Sequence, residues 1–151
     1  MKRHYQIQTF SSYYYLGKIL KENKDYAAAV AAFEKSLRDP EYKQKALIER
    51  GSCYMAANNI EKAMVEYDRA VKSAQNESSQ ETLYARYFLA ACYEKTRKLE
   101  LAISQWEAIY AKNHNFPYIE SSYCNQYQQY EYKQCSKSDG RDLLQLLYFQ
   151  S

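Results

Sequence analysis

The residues best suited to chemistry are few and far apart. Neither His4 nor His114 has a nucleophile or a metal-ligand partner at informative spacing, so neither belongs to a base–nucleophile pair. The four cysteines, Cys53, Cys92, Cys124 and Cys135, include no C-x-x-C pair and no histidine at ligand distance, which argues against a zinc site. The three glycines, Gly17, Gly51 and Gly140, cannot build a phosphate-cradling loop. These absences predict a protein that is not an enzyme and carries no cofactor or metal. The 21 basic and 18 acidic residues are well mixed, with a net charge of +3. That pattern reads as a solvated surface, not an electrostatic footprint for nucleic acid. No signal-peptide core and no membrane-length apolar run is present. The expected setting is therefore a reducing, cytoplasmic one without membrane insertion, with buried free thiols at Cys53 and Cys92.

The remaining residues do their work by packing. At 151 residues the chain suits one domain with a continuous core. Only two prolines accompany the three glycines, so turn chemistry for an all-β fold is scarce. Alanine, leucine, lysine, glutamate and glutamine favour helix throughout. Aligning the chain with itself exposes an internal repeat. Gly17, Ala29 and Phe33 recur 34 residues later as Gly51, Ala63 and Tyr67, then as Ala90, Ala102 and Trp106. Leu20, Tyr54 and Tyr93 follow the same register, as do Tyr26, Ile60 and Leu99. Self-similarity at this period marks stacked helix pairs. The small residues let two antiparallel backbones cross closely. The aromatic one turn on fills the space between successive pairs.

Local signals place the boundaries. Asp39–Pro40 is an N-cap followed by proline at the first helical position. Ser78 with Glu81 reads as a capping box. Asn23 and Asn58 suit the left-handed conformation that ends a helix. Helices are predicted near 10–23, 26–38, 40–57, 60–74, 79–96, 99–112 and 117–134. Five extra residues within "SAQNESSQET" lengthen the second junction. They predict about one additional helical turn there, with the third repeat rotated against the second.

These residues resemble the tetratricopeptide repeat family over roughly positions 10–116. Its small–alanine–aromatic pattern is carried by Gly17, Ala29 and Phe33. Gly51, Tyr54, Ala63, Tyr67 and Ala70 carry it next, then Leu89, Ala90, Tyr93, Ala102 and Trp106. Departures are Pro40, one residue short of the closing proline, Arg50 in place of leucine and Ile109 in place of alanine. The resemblance implies an all-α, right-handed α-solenoid of about seven helices, with the first helix of each pair lining a concave groove. It implies a protein–protein interaction module or scaffold that holds a peptide or a partner helix. Helical spacing puts Tyr14, Lys18, Lys21, Ile48, Ser52, Met55, Tyr84, Tyr87 and Ala91 on the groove face. Packing of Tyr84 and Tyr87 beneath the longer junction is the competing reading.

Some partners are disfavoured. Family members that grip the C-terminal carboxylates of heat-shock proteins use a basic clamp, and the matching positions here are Tyr14, Lys18, Glu49, Tyr84 and Phe88. Only Lys18 is basic and Glu49 repels a carboxylate, which argues against that partner. RNA-binding arrays of helical hairpins need a basic groove, whereas this one alternates tyrosine with aliphatics and carries Glu94. The alternative role is a chaperone or assembly factor of bacterial secretion, flagellar or pilus machinery, by analogy of fold. The repeat domain is expected over 1–135, with a capping helix whose stripe is Ile119, Tyr123, Tyr127 and Tyr130. A tail follows over 136–151. Its "LYFQS" resembles part of an engineered protease-cleavage tag. If the tail is native, Leu143, Leu144, Leu146, Leu147 and Phe149 form a short docking segment.

Overall fold

The computed structural model describes residues 2–116, with side chains from residue 10 onward. It contains α1 (Lys2–Glu22), α2 (Tyr26–Ser36), α3 (Pro40–Ala56), α4 (Ile60–Lys72), α5 (Gln80–Lys95) and α6 (Leu99–Lys112). All are helices, paired antiparallel as α1/α2, α3/α4 and α5/α6. The helix starts agree with the sequence to within one residue except at α1, which begins at Lys2 because nothing in "KRHYQIQT" breaks a helix. The expected seventh helix, the tyrosine stripe and the 136–151 tail lie outside the described residues.

The small–aromatic pattern works as its spacing implies. Ala29, Phe33, Ala63, Ala90 and Ala102 are fully buried, and Tyr67 and Trp106 are nearly so. Gly17 lies against the ring of Phe33 and Gly51 against Tyr67. Successive pairs then stack through α2 on α3 and α4 on α5. The first helices also touch, α1 with α3 and α3 with α5, whereas the backbones of α2 and α4 do not approach each other. The array is therefore tighter along the first helices. Curvature towards that side makes it concave.

Each hairpin turn repeats one device. Lys24, Asn58 and Arg97 have φ of 64°, 59° and 62°. The next residue's N–H then bonds back to Leu20, Tyr54 or Tyr93 at 2.8–2.9 Å, the Schellman closure of a helix end. Asn58 was legible as the left-handed residue. In the first hairpin Lys24 takes this role and Asn23 does not, because the closure counts from Leu20. Asp25 and Asn59 then cap α2 and α4 through their side chains.

Lys98 holds the equivalent place before α6 without a side-chain bond. Its φ of −92° and ψ of 67° match those of Asp25, −86° and 74°. Lys98→Asp needs no backbone change, satisfies an open N–H and complements the helix dipole. It is expected to stabilise the fold by about 1 kcal/mol. A rise of a few degrees in the midpoint of thermal unfolding, followed by circular dichroism, checks this.

The lengthened second junction is a loop, not an added helical turn. Asn76 Oδ1 accepts from Ser78 N–H at 2.9 Å, forming a side-chain-closed turn that diverts the chain. Ser79, one residue beyond the expected Ser78, is the N-cap, accepting from Thr82 N–H at 3.2 Å. Fully buried Thr82 donates to Asn76 O at 2.9 Å and accepts from Gln44 Nε2 of α3 at 2.9 Å. Arg86 ties the loop to α6, bonding Glu77 at 2.6 Å and Gln105 at 2.9 Å. That guanidinium lowers the Glu77 carboxyl below its ordinary range.

Arg50, which replaces an apolar residue of the pattern, sits between Glu34 of α2 at 2.6 Å and Glu66 of α4 at 3.4 Å. The angles are poor for hydrogen bonding: Arg50 Nε and Nη1 and Glu66 Oε2 are buried without a hydrogen-bond partner. The cluster offsets its charges yet leaves polar atoms unsatisfied, so it contributes little net stability.

Candidate functional site

The candidate site is the face shared by α1, α3 and α5. At its first-repeat end Tyr14 is only 8% exposed. Its ring lies 5.8 Å from Phe33 and 5.2 Å from Tyr42. Burial, with Glu49 adding to it, pushes the phenol up to about 12. Tyr14 is thus chiefly a core residue and offers a partner little surface. Helical spacing names a face, but it does not reveal that Tyr42, from the first turn of α3, closes over it.

Lys18 is half-buried, with its ammonium 6.0 Å from the centre of the Tyr14 ring. Lys21 is neutralised across the groove by Glu49 and also donates to Ser52 Oγ at 3.4 Å. Lys21 and Ser52, both expected on this face, meet through that bond. Glu49 adds an acid at one of the clamp positions, as its sequence register implied. Among the described residues Lys18 is in no ion pair.

In the middle, Ile48 and Met55 are half-buried against the core around Tyr67, Leu89 and Cys92. Burial raises Cys53 and Cys92 to about 11 each. Both are free thiols, and they stay protonated and unreactive at neutral pH.

The third-repeat end is a ladder of rings. Tyr67 stacks on Phe88 at 5.4 Å, and Tyr84 stacks on Phe88 at 6.3 Å. Tyr84 also meets Phe116 edge-on at 5.1 Å, and Tyr87 meets Trp106 at 5.3 Å. Tyr84 remains 37% exposed, while Tyr87 and Ala91 are half-buried. These tyrosines therefore pack into the third hairpin and still leave a surface in the groove. Glu94 closes this end, accepting from Trp106 Nε1 at 3.0 Å. Burial raises its carboxyl, and the indole bond partly offsets that rise.

Sequence reading missed Tyr42 and Lys45 as neighbours of this face, and named Phe88 only as a clamp position. Lys45 precedes Ile48 by three positions and Phe88 follows Tyr84 by four, so the same helical register held the signal. No group of His, Cys, Asp and Glu among the described residues could hold a metal ion. No described helix is long and apolar enough to cross a membrane. What the face offers is aromatic surface and two cations, Lys18 and Lys45, that are in no ion pair among the described residues.

A family model described as tetratricopeptide repeat matches residues 20–87. No curated protein matches the chain in sequence. Among solved structures, the first TPR of Spaghetti (RPAP3) bound to the HSP90 peptide SRMEEVD is similar, with a TM-score of 0.69 at 18% identity over 82% of this chain and 97% of that one. The MamA protein gives 0.68 at 19% identity, over 81% of this chain and 64% of its own. The Yersinia enterocolitica type III secretion chaperone SycD, in complex with a peptide of the translocator YopD, gives 0.65 at 16% identity over 87% and 96% of the two chains. At such identities the likeness is one of fold.

Proposed function

This chain belongs to the tetratricopeptide repeat family, and from that premise we propose that it is a non-catalytic interaction module holding an extended peptide or a partner helix in the groove of α1, α3 and α5. The observation that carries this reading is the ring ladder of the third repeat. Tyr84 and Phe88 keep accessible surface while their neighbours fix their rings. Rigid, amphipathic rings bind at low cost in side-chain entropy. Peptides held by two structural neighbours, the RPAP3 domain and SycD, are consistent with such a role. Capture of a heat-shock C-terminal carboxylate is disfavoured, because Glu49 stands at a clamp position and its partner Lys21 is already engaged. The second reading is a chaperone of a secretion machine, favoured by the likeness to SycD.

A displayed peptide library selected on the whole protein supplies a ligand with which to test the groove. Tyr87→Ala is expected to weaken that ligand by about 2 kcal/mol. It will also lower thermal stability, since its ring packs on Trp106, so the folded fraction is measured beside the calorimetry. Lys18→Ala should act mainly on the association rate, with an effect that shrinks in added salt. Lys35→Glu and Arg69→Glu, on exposed positions of the second helices, should leave binding intact. If these outer changes abolish binding and Lys18, Met55 and Tyr87 can be replaced without loss, the concave site is wrong.

A further inference from the structure

The repeats supply their own measure of what is missing from one of their faces. In register, Tyr15, Leu16 and Ile19 of α1 correspond to Phe88, Leu89 and Cys92 of α5. On α5 this face is covered by α4: Leu89 is 1% exposed and Cys92 0%, and Tyr67 of α4 stacks on Phe88 at 5.4 Å with the planes 23° apart. On α3 the corresponding Arg50 and Cys53 are 8% and 0% exposed beneath α2. On α1, however, Tyr15 is 57%, Leu16 45% and Ile19 56% exposed. An array end that faces water is ordinarily polar. This one is aromatic and aliphatic, the composition of an internal seam.

We propose that the Tyr15–Leu16–Ile19 face of α1 docks an amphipathic helix built like α4, running antiparallel to α1 with an aromatic side chain stacked on Tyr15. The seam itself states the chemistry of the occupant. The covering stripe of α4 is Ala63, Tyr67, Ala70 and Val71, and that of α2 with its C-cap is Ala29, Phe33 and Leu37. Each has a small residue, an aromatic four positions later and an aliphatic four beyond that. The small residue permits close approach and the ring fills the crossing. Leu16, where α3 has Arg50, asks for an apolar neighbour and not for the carboxylate that Glu34 supplies to Arg50. Tyr15 is already braced, at 5.4 Å from Tyr14 and 6.5 Å from Tyr42, so stacking on it costs little further ordering. Leu16 and Ile19 lie on the end of the array, outside the groove residues named above, while Tyr15 borders the groove beside Tyr14.

The probe is a synthetic peptide of residues 59–74, with its Asp68–Lys72 pair closed as a lactam so that it is helical in advance. It is titrated to millimolar concentration into the whole isotopically labelled protein and followed by nuclear magnetic resonance. Saturable shifts confined to amides around Ser12, Leu16 and Ile19 are expected. Leu16→Asp and Ile19→Asp, at exposed positions that leave the fold intact by circular dichroism, should each weaken binding by about tenfold or more. Tyr67→Ala in the peptide should do the same. Shifts centred on Ser52, Met55 and Ala91 would instead mark the groove and overturn the proposal. So would the absence of shifts. If the α1 shifts arise with protein concentration alone, the occupant is a second copy of the chain, and the helix partner is discarded.

Discussion

Trp106→Ala is expected to destabilise the protein by about 3–5 kcal/mol, through lost burial and the cavity left behind. The indole is 2% exposed, in a core formed by Leu83, Ala90, Ala102, Ile109 and Phe116, with Tyr87 edge-on at 5.3 Å. So large a hole cannot be closed by neighbours that are themselves fully packed. A second loss accompanies it, since Trp106 Nε1 no longer donates to Glu94. Trp106→Phe separates the two by keeping most of the ring and removing the donor.

The sign of the pH dependence follows from Glu94. Burial already raises its carboxyl in the folded protein, and the indole bond opposes that rise. Without the donor the folded pKa climbs further above the unfolded one. The folded state then binds the Glu94 proton more tightly, so stability present at acid pH is lost as pH rises through the folded pKa. The deficit of Trp106→Phe relative to the native protein should therefore be smaller in acid than at neutral pH. Denaturant unfolding at both pH values checks this, and a constant deficit would remove the Glu94 bond from the account. Trp106 is the only tryptophan, so its emission should be blue-shifted in the native state and move to the red on unfolding. Water-like emission from the folded protein would contradict the burial.

The second large effect is expected at Gly51, where two opposed contributions can be weighed. Replacing a mid-helix glycine with alanine ordinarily stabilises by about 0.5–1 kcal/mol. Here a Cβ would lie 2.6 Å from Tyr67 Cε1, and Tyr67 is 1% exposed with no room to retreat. Overpacking of this kind costs about 1–3 kcal/mol, so the clash wins and Gly51→Ala should destabilise. Gly51→Leu should reach the top of that range or pass it. Gly17 faces Phe33 with the same 2.6 Å approach and should behave alike. No described glycine has a positive φ, so close approach and not backbone freedom is the reason for glycine. Ala63→Leu should likewise overpack the second hairpin. Ala31, exposed on the outer face of α2, is the appropriate control. Urea unfolding ranks the set, and equal damage from Ala31→Leu would refute the packing argument. Tyr67→Leu combined with Gly51→Ala should recover part of the loss, since it makes room for the added methyl.

Much of this architecture is local and was open to a reader of the residues. Asp39–Pro40 starts α3 as expected, with Asp39 accepting from Glu41 N–H at 3.0 Å. The small–small–aromatic triplets are buried together because three in-phase copies of a helix pair leave one consistent way to stack. Helix boundaries were legible where a capping side chain or a proline acts within its own turn. Glu49 as an acid at the groove was likewise a matter of register alone.

What the sequence determined by itself, then, was period, helix order and the positions at which backbones cross, since these depend on residues within a turn or on exact repetition. Tertiary structure decided the rest. Tyr14 sinks into the core because Tyr42, 28 residues on, packs against its ring. The extra residues of the second junction form a loop because Asn76, Thr82 and Gln44 meet across three elements. Arg50 is held by acids from two other helices, and Tyr15, Leu16 and Ile19 are exposed only because no described helix covers them. In each case the outcome rests on which side chains from distant positions fill or leave open the same volume, and helical spacing along one segment carries no information about that.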